Sequence, residues 1–159
     1  MKKAKLLIID DEVDIRESLS DILKDEGYEI VVAENAYEAK KIKKEVRFDL
    51  ILLDIWMPDC DGISLLKQWA KDKEINCPVI MMSGHGTIDT AIEATKIGAF
   101  DFLEKPISLQ KLLKTISLAL KKTIQINKLD VSFISDVETP VINILRENLK
   151  NLKKEKLII

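Results

Sequence analysis

Cysteine and histidine are scarce in this chain, which has only Cys60, Cys77 and His85 among its 159 residues. Two cysteines without metal-ligand spacing exclude a disulfide framework, and one histidine excludes a His/Cys zinc cluster. Long hydrophobic runs are missing as well. The basic start Met1-Lys2-Lys3-Ala4-Lys5 is followed only by the apolar run Leu6-Leu7-Ile8-Ile9, too short for a signal peptide or a membrane span. The expected compartment is a reducing cytoplasm, with no membrane partner. Neither sign of charge is in surplus: Lys+Arg number 25 and Asp+Glu 27, a net charge of −2. That balance leaves no basic footprint for nucleic acid or for an anionic membrane. A G-x-x-x-x-G-K-[ST] loop and a helix-turn-helix are also lacking, so neither ATP hydrolysis nor direct DNA binding by this chain is expected.

What is present is a core and a pattern. Apolar residues make up 47% of the chain, enough for one compact domain with a short appendage. The short apolar runs Leu6–Ile9, Ile30–Ala33, Leu50–Leu53, Val79–Met82 and Phe100–Leu103 read as strands buried on both faces. Helical spacing fills the gaps between them. Ile15, Leu19, Ile22 and Leu23 form a first face that stops at Gly27. Asn35 with Glu38 resembles a capping box that opens a second face through Ala39, Ile42 and Val46. Ile63, Leu66 and Ala70 mark a third, and Ile88, Ala91, Ile92 and Thr95 a fourth, ended by Gly98. Leu109, Leu112, Leu113, Ile116 and Leu120 form the fifth. Strict alternation of such units predicts an α/β fold: a doubly wound five-stranded parallel sheet of (βα)5 type, with helices on both faces. Ligands of such sheets bind at the carboxyl ends of the strands.

Polar residues follow the buried runs at those ends: Asp10-Asp11-Glu12, Asp54, Ser83 and Glu104-Lys105-Pro106. Each piece alone reads more readily as a solvated turn or a helix cap. Together they bring three carboxylates, a hydroxyl and an amine to one crevice. Close carboxylates repel one another unless a cation joins them. Carboxylate oxygens with a backbone carbonyl and water suit the octahedral site of Mg²⁺. Lys105 and Ser83 would meet the equatorial oxygens of a transferring phosphoryl group, and Asp54 would be the nucleophile that forms an aspartyl-phosphate.

The segments Leu7-Ile8-Ile9-Asp10-Asp11-Glu12, Leu52-Leu53-Asp54-Ile55-Trp56-Met57-Pro58, Asp61-Gly62, Met82-Ser83-Gly84 and Glu104-Lys105-Pro106 are similar to those of bacterial response regulator receiver domains. The resemblance covers residues 4–122. It implies transfer of a phosphoryl group from a sensor histidine kinase to Asp54, and a switch that acts on a transcription-regulating output. It implies Mg²⁺ bound by Asp11, Asp54 and the Trp56 backbone carbonyl, with Asp10 acting through a metal-bound water. Ser83 and Lys105 would hold the phosphoryl group, Phe102 would be the switch aromatic, and the bond before Pro106 would be cis. A homodimer through the fourth helix, fifth strand and fifth helix is implied as well. Trp56, two residues beyond Asp54, is expected at the mouth of the pocket, where its indole would slow loss of the phosphate to water. His85 is assigned no role.

A narrower resemblance lies in Asp54-Ile55-Trp56-Met57-Pro58, Ser83-Gly84-His85-Gly86-Thr87 and Gly98-Ala99-Phe100-Asp101-Phe102, which look like the NtrC/NtrX nitrogen-regulation subgroup. Residues 123–138 read as a linker. Residues 139–159 read as an amphipathic helix, capped by Thr139-Pro140 and followed by the run Leu157-Ile158-Ile159. That tail resembles a truncated start of the AAA+ domain of sigma-54-dependent activators. Two other function classes fit parts of the pattern. A Mg²⁺-dependent aspartyl phosphatase of the haloacid dehalogenase type would want a second acid where Trp56 stands. A phosphate-independent interaction module has no need of the set Asp10, Asp11, Asp54, Ser83 and Lys105.

Overall fold

Every strand of the sheet is followed by a helix, and the order along the chain is strict. The computed structural model describes residues 3–132, with side chains to 122. The elements are β1 (Lys5–Ile9), α1 (Val13–Asp25), β2 (Glu29–Ala33), α2 (Ala36–Glu45), β3 (Leu50–Asp54), α3 (Gly62–Lys71), β4 (Val79–Ser83), α4 (Ile88–Ile97), β5 (Asp101–Glu104) and α5 (Leu109–Ser132). All strand pairs are parallel and the order is β2-β1-β3-β4-β5. The chain reverses its winding direction between β1 and β3, which opens a crevice at their carboxyl ends.

Alternation along the strands builds two cores. Leu7, Ile9, Ile51, Leu53, Val79 and Met81 pack on one side with Ala36 and Ala39 of α2 and Leu65, Leu66 and Trp69 of α3. Leu6, Ile8, Leu50, Leu52, Ile80, Met82 and Leu103 pack on the other with Leu19 and Leu23 of α1 and Leu112 and Ile116 of α5. The central strands are thus covered on both faces, as their unbroken apolar runs predict.

Four sequence expectations need correction. β2 and β5 are the edge strands; Val32 stays 39% exposed and Phe100 and Phe102 are only half-buried, so those two runs are not buried on both faces. The buried face of α3 is broader than Ile63, Leu66 and Ala70, since Leu65 and Trp69 are fully packed while Ala70 is only half-buried. On α4 the stripe of Ile88, Ala91, Ile92 and Thr95 does not face the core. Ala94 is the buried residue, while Ile88 is 81% and Ile92 47% exposed. The helix seats Ala94 on the core with Ile97 beside it, leaving Ile88 and Ile92 in solvent. Finally, α5 runs to Ser132, through positions expected to be linker. Neither glycine nor proline occurs between Leu109 and Ser132 to stop it. The expected remainder of the linker and the tail helix, residues 133–159, lies outside the described residues. Among the described residues, no helix is long and apolar enough to cross a membrane.

Candidate functional site

The strand ends assemble the site because the pleat sorts side chains by parity. Asp10 continues the series Leu6, Ile8; Asp54 continues Leu50, Leu52; Lys105 continues Leu103. All three therefore belong to the α1 and α5 side of the sheet. Ser83 continues Val79 and Met81 and belongs, with Phe102, to the opposite side. Register fixes their heights: Ile9 pairs Leu53, Asp54 pairs Met82 and Ser83 pairs Glu104.

Asp10, Asp54 and Lys105 meet. Lys105 Nζ donates to Asp10 Oδ2 at 2.7 Å and lies 3.4 Å from Asp54 Oδ1 and 3.7 Å from Glu12 Oε1. Asp10 is fully buried and Asp54 is 2% exposed. Asp10 Oδ1 accepts from the Glu12 N–H at 2.9 Å, and its carbonyl accepts from Arg16 Nη1 at 2.7 Å. Burial above all, and then the neighbouring Asp10 charge, push Asp54 from its ordinary 3.8 up to about 7. Lys105 pulls the other way, and the Asp11 charge adds to the rise. Lys105 is itself raised: burial disfavours its charge, but the hydrogen bond and charge of Asp10, with Asp54 and Glu12, outweigh that. The pocket holds more negative charge than one lysine neutralises.

That excess matches a divalent cation. Carboxylate oxygens of Asp10, Asp11 and Glu12 all lie within 4.8 Å of one another, with Asp11 and Glu12 at the surface. The donors are all hard oxygens, the set that Mg²⁺ takes. Glu12 belongs to this group although the sequence reading gave it no site role. Asp54 is not part of that group; Asp11 acts on it through its charge.

The other expected residues surround this centre. Ser83 is fully buried, and its Oγ accepts from the His85 N–H at 3.1 Å. The Lys105 N–H donates to the Ser83 carbonyl at 2.8 Å, which holds the two strand ends together. The Lys105–Pro106 peptide bond is cis. Phe102 is half-buried against the α2–α3–α4 core, with its ring on Gly86. Trp56 stands in the β3–α3 loop with its side chain 57% exposed. A β-carbon built on Gly62 would lie 2.2 Å from the Asp54 carbonyl oxygen, so the start of α3 approaches the site as only glycine allows.

Comparison with known proteins decides the family. Residues 6–117 match the response regulator receiver domain family. This chain belongs to that family. It is 41% identical over 145 residues to a "Putative response regulator NtrX-like" of Rickettsia bellii, covering 90% of this chain and 29% of that protein. It is similar to the solution structure of the beryllofluoride-activated NtrC4 receiver domain dimer, with 43% identity and a TM-score of 0.70, covering 75% of this chain and 98% of the other. The crystal structure of NtrX from Brucella abortus matches with 34% identity and a TM-score of 0.76, over 95% of this chain and 35% of that one. The chain spans under a third of the length of the curated relatives it matches. As a receiver domain it is a signalling phosphoacceptor module with the acidic cluster typical of the family's Mg²⁺ site.

Proposed function

We propose that this receiver domain accepts a phosphoryl group on Asp54 from a sensor histidine kinase, and that the resulting change is read by a transcription-regulating output. One observation carries the reading. Two buried carboxylates, Asp10 and Asp54, share a single lysine, and Asp54 is raised to about 7. Buried carboxylates perturbed in this way cluster at functional sites. Asp54, at the carboxyl end of the central strand β3, would be the nucleophile.

Asp11, Asp54 and the Trp56 carbonyl would hold Mg²⁺, with Asp10 acting through one of its waters. The ion supplies positive charge that keeps Asp54 ionised and draws in phosphoryl oxygens. One Asp54 oxygen attacks phosphorus, the P–N bond to the donor histidine breaks, and its electron pair returns to the imidazole. Lys105 stays beside Asp54 and meets an equatorial oxygen, while the buried Ser83 hydroxyl meets another. In doing so Ser83 draws the His85 N–H with it. Phe102 then turns into the vacated space, since its ring already lies against this loop. The Trp56 indole, over the mouth, slows hydrolysis.

The exposed Ile88 and Ile92 favour a homodimer through α4, β5 and α5 as the readout surface. The output would be that of NtrC/NtrX-type sigma-54 activators, in the cytoplasm. The test is intact-mass analysis after incubation with acetyl phosphate. One labile phosphoryl group is expected, absent without Mg²⁺ and absent in Asp54→Asn. A folded, Mg²⁺-binding chain that takes no label would overturn the reading in favour of a phosphate-independent module.

A further inference from the structure

The loop between β3 and α3 carries the Trp56 carbonyl, and its two ends are tied down locally. At its start the Ile55 N–H donates to the Met82 carbonyl at 3.0 Å. At its end the Gly62 N–H donates back to the Ile55 carbonyl at 2.7 Å, and Asp61 caps α3 by accepting from the Ser64 N–H at 2.8 Å. The middle of the loop is held differently. Asp59 reaches across to α2, where Oδ1 accepts from the Ala36 N–H at 3.2 Å and Oδ2 from the Tyr37 N–H at 3.0 Å. Asn35 caps the same helix by accepting from the Glu38 N–H at 2.8 Å. The first three N–H groups of α2, which have no partner within the helix, are therefore satisfied by two residues. One is local, and the other is a carboxylate from the phosphorylation loop.

We propose that Asp59 is a positioning residue for the phosphorylation site, clamping the β3–α3 loop to the N-terminus of α2 and so fixing the Trp56 carbonyl beside the acidic pocket. Among the described residues, the hydrogen bonds that join the middle of this loop to another element are those of Asp59. A carboxylate suits the place, because the N-terminus of a helix carries partial positive charge. Burial works against the charge of Asp59, but N–H donors of Tyr37, Ala36, Asp59 and Cys60 outweigh it and hold the carboxyl below its usual range. The clamp is thus ionised at neutral pH. Residues that orient a metal ligand from outside its coordination sphere commonly change affinity by about ten- to a hundred-fold when removed.

The inference rests on the Mg²⁺ reading above, and one titration separates the two. Mg²⁺ affinity is measured by calorimetry, with Tm recorded in EDTA, for the parent chain, Asp59→Ala, Asp59→Asn and Asn35→Ala. Asn35→Ala removes a cap from the same helix without touching the loop, so it should lower Tm and leave Mg²⁺ affinity unchanged. Asp59→Ala should weaken Mg²⁺ binding by about tenfold, and its labelling by acetyl phosphate should recover at saturating Mg²⁺. Asp59→Asn, which loses the charge but keeps one acceptor, should fall between parent and Asp59→Ala. Parent-like affinity in Asp59→Ala would overturn the clamp alone. A parent chain that binds no Mg²⁺ would overturn the metal reading and the clamp with it.

Discussion

The backbone of Gly86 lies directly against the ring of Phe102: a β-carbon built there would sit 2.2 Å from Cζ and 2.7 Å from Cε1. Gly86 belongs to the loop that leaves Ser83, so the ring and the hydroxyl are linked through three residues of backbone. The φ angle of Gly86 is not among the positive ones, so only the ring opposes a side chain here. Gly86→Ala should cost about 1–3 kcal/mol, the usual range for overpacking, and should displace the Phe102 ring. Urea denaturation in a double-mutant cycle with Phe102→Ala checks this. If Gly86→Ala costs as much without the ring as with it, the contact is not the cause.

Asp54 makes stability depend on pH in a direction opposite to most carboxylates. Its folded value, about 7, stands above its ordinary 3.8, so the folded chain keeps a proton that the unfolded chain has released. The resulting stabilisation is fully present below pH ~4 and is lost as pH rises through about 7. At roughly 1.4 kcal/mol per unit, the loss is at most about 4 kcal/mol. In EDTA, the parent chain should lose stability over this range relative to Asp54→Asn, and Mg²⁺ should restore more at pH 8 than at pH 5. Parallel pH curves for the two chains would show that Asp54 titrates normally.

Lys105 should matter most where both of its carboxylates are charged. Its ammonium lies 2.7 Å from Asp10 and 3.4 Å from Asp54. Lys105→Met leaves that pair buried and unpaired, a change worth about 3 kcal/mol when the charges persist. Urea titrations in EDTA should show this loss at pH 8 and a smaller one at pH 5, where Asp54 has taken a proton and Lys105 still faces Asp10. Equal losses at both pH values would mean that the Asp54 charge is not what Lys105 offsets.

These expectations trace how far the sequence could be read. Asp10, Asp54 and Ser83 were legible because each directly follows an apolar run, and Lys105 because it stands one residue beyond one; a parallel sheet places such residues at one edge. The sharing of Lys105 by Asp10 and Asp54 follows from parity once the strand order is known. The α4 face was not legible, because its isoleucine stripe and its alanine face both have helical spacing, and only packing chooses between them. Asp59 was hidden for another reason. Its partners Ala36 and Tyr37 lie more than twenty positions away, and no local pattern announces a cap supplied from another loop. Glu12 was visible as part of the run Asp10-Asp11-Glu12, but its approach to Lys105 depends on where β5 ends.

The isoleucines of α4 give the last prediction. Ile88 and Ile92 are one turn apart on a helix and expose 81% and 47% of their surface. Exposed apolar pairs of this kind contribute little to folding, so Ile92→Glu should change stability by no more than about 0.5 kcal/mol. A carboxylate there would instead face apolar surface in the proposed dimer through α4, β5 and α5, where desolvating it without a partner is costly. Sedimentation of the phosphorylated chain should therefore show a dimer for the parent and a monomer for Ile92→Glu, with equal labelling of both. The labelling control matters, because a variant that failed to accept phosphate would also stay monomeric. A labelled Ile92→Glu that still dimerises would move the interface off α4, and the exposed isoleucines would then need another partner.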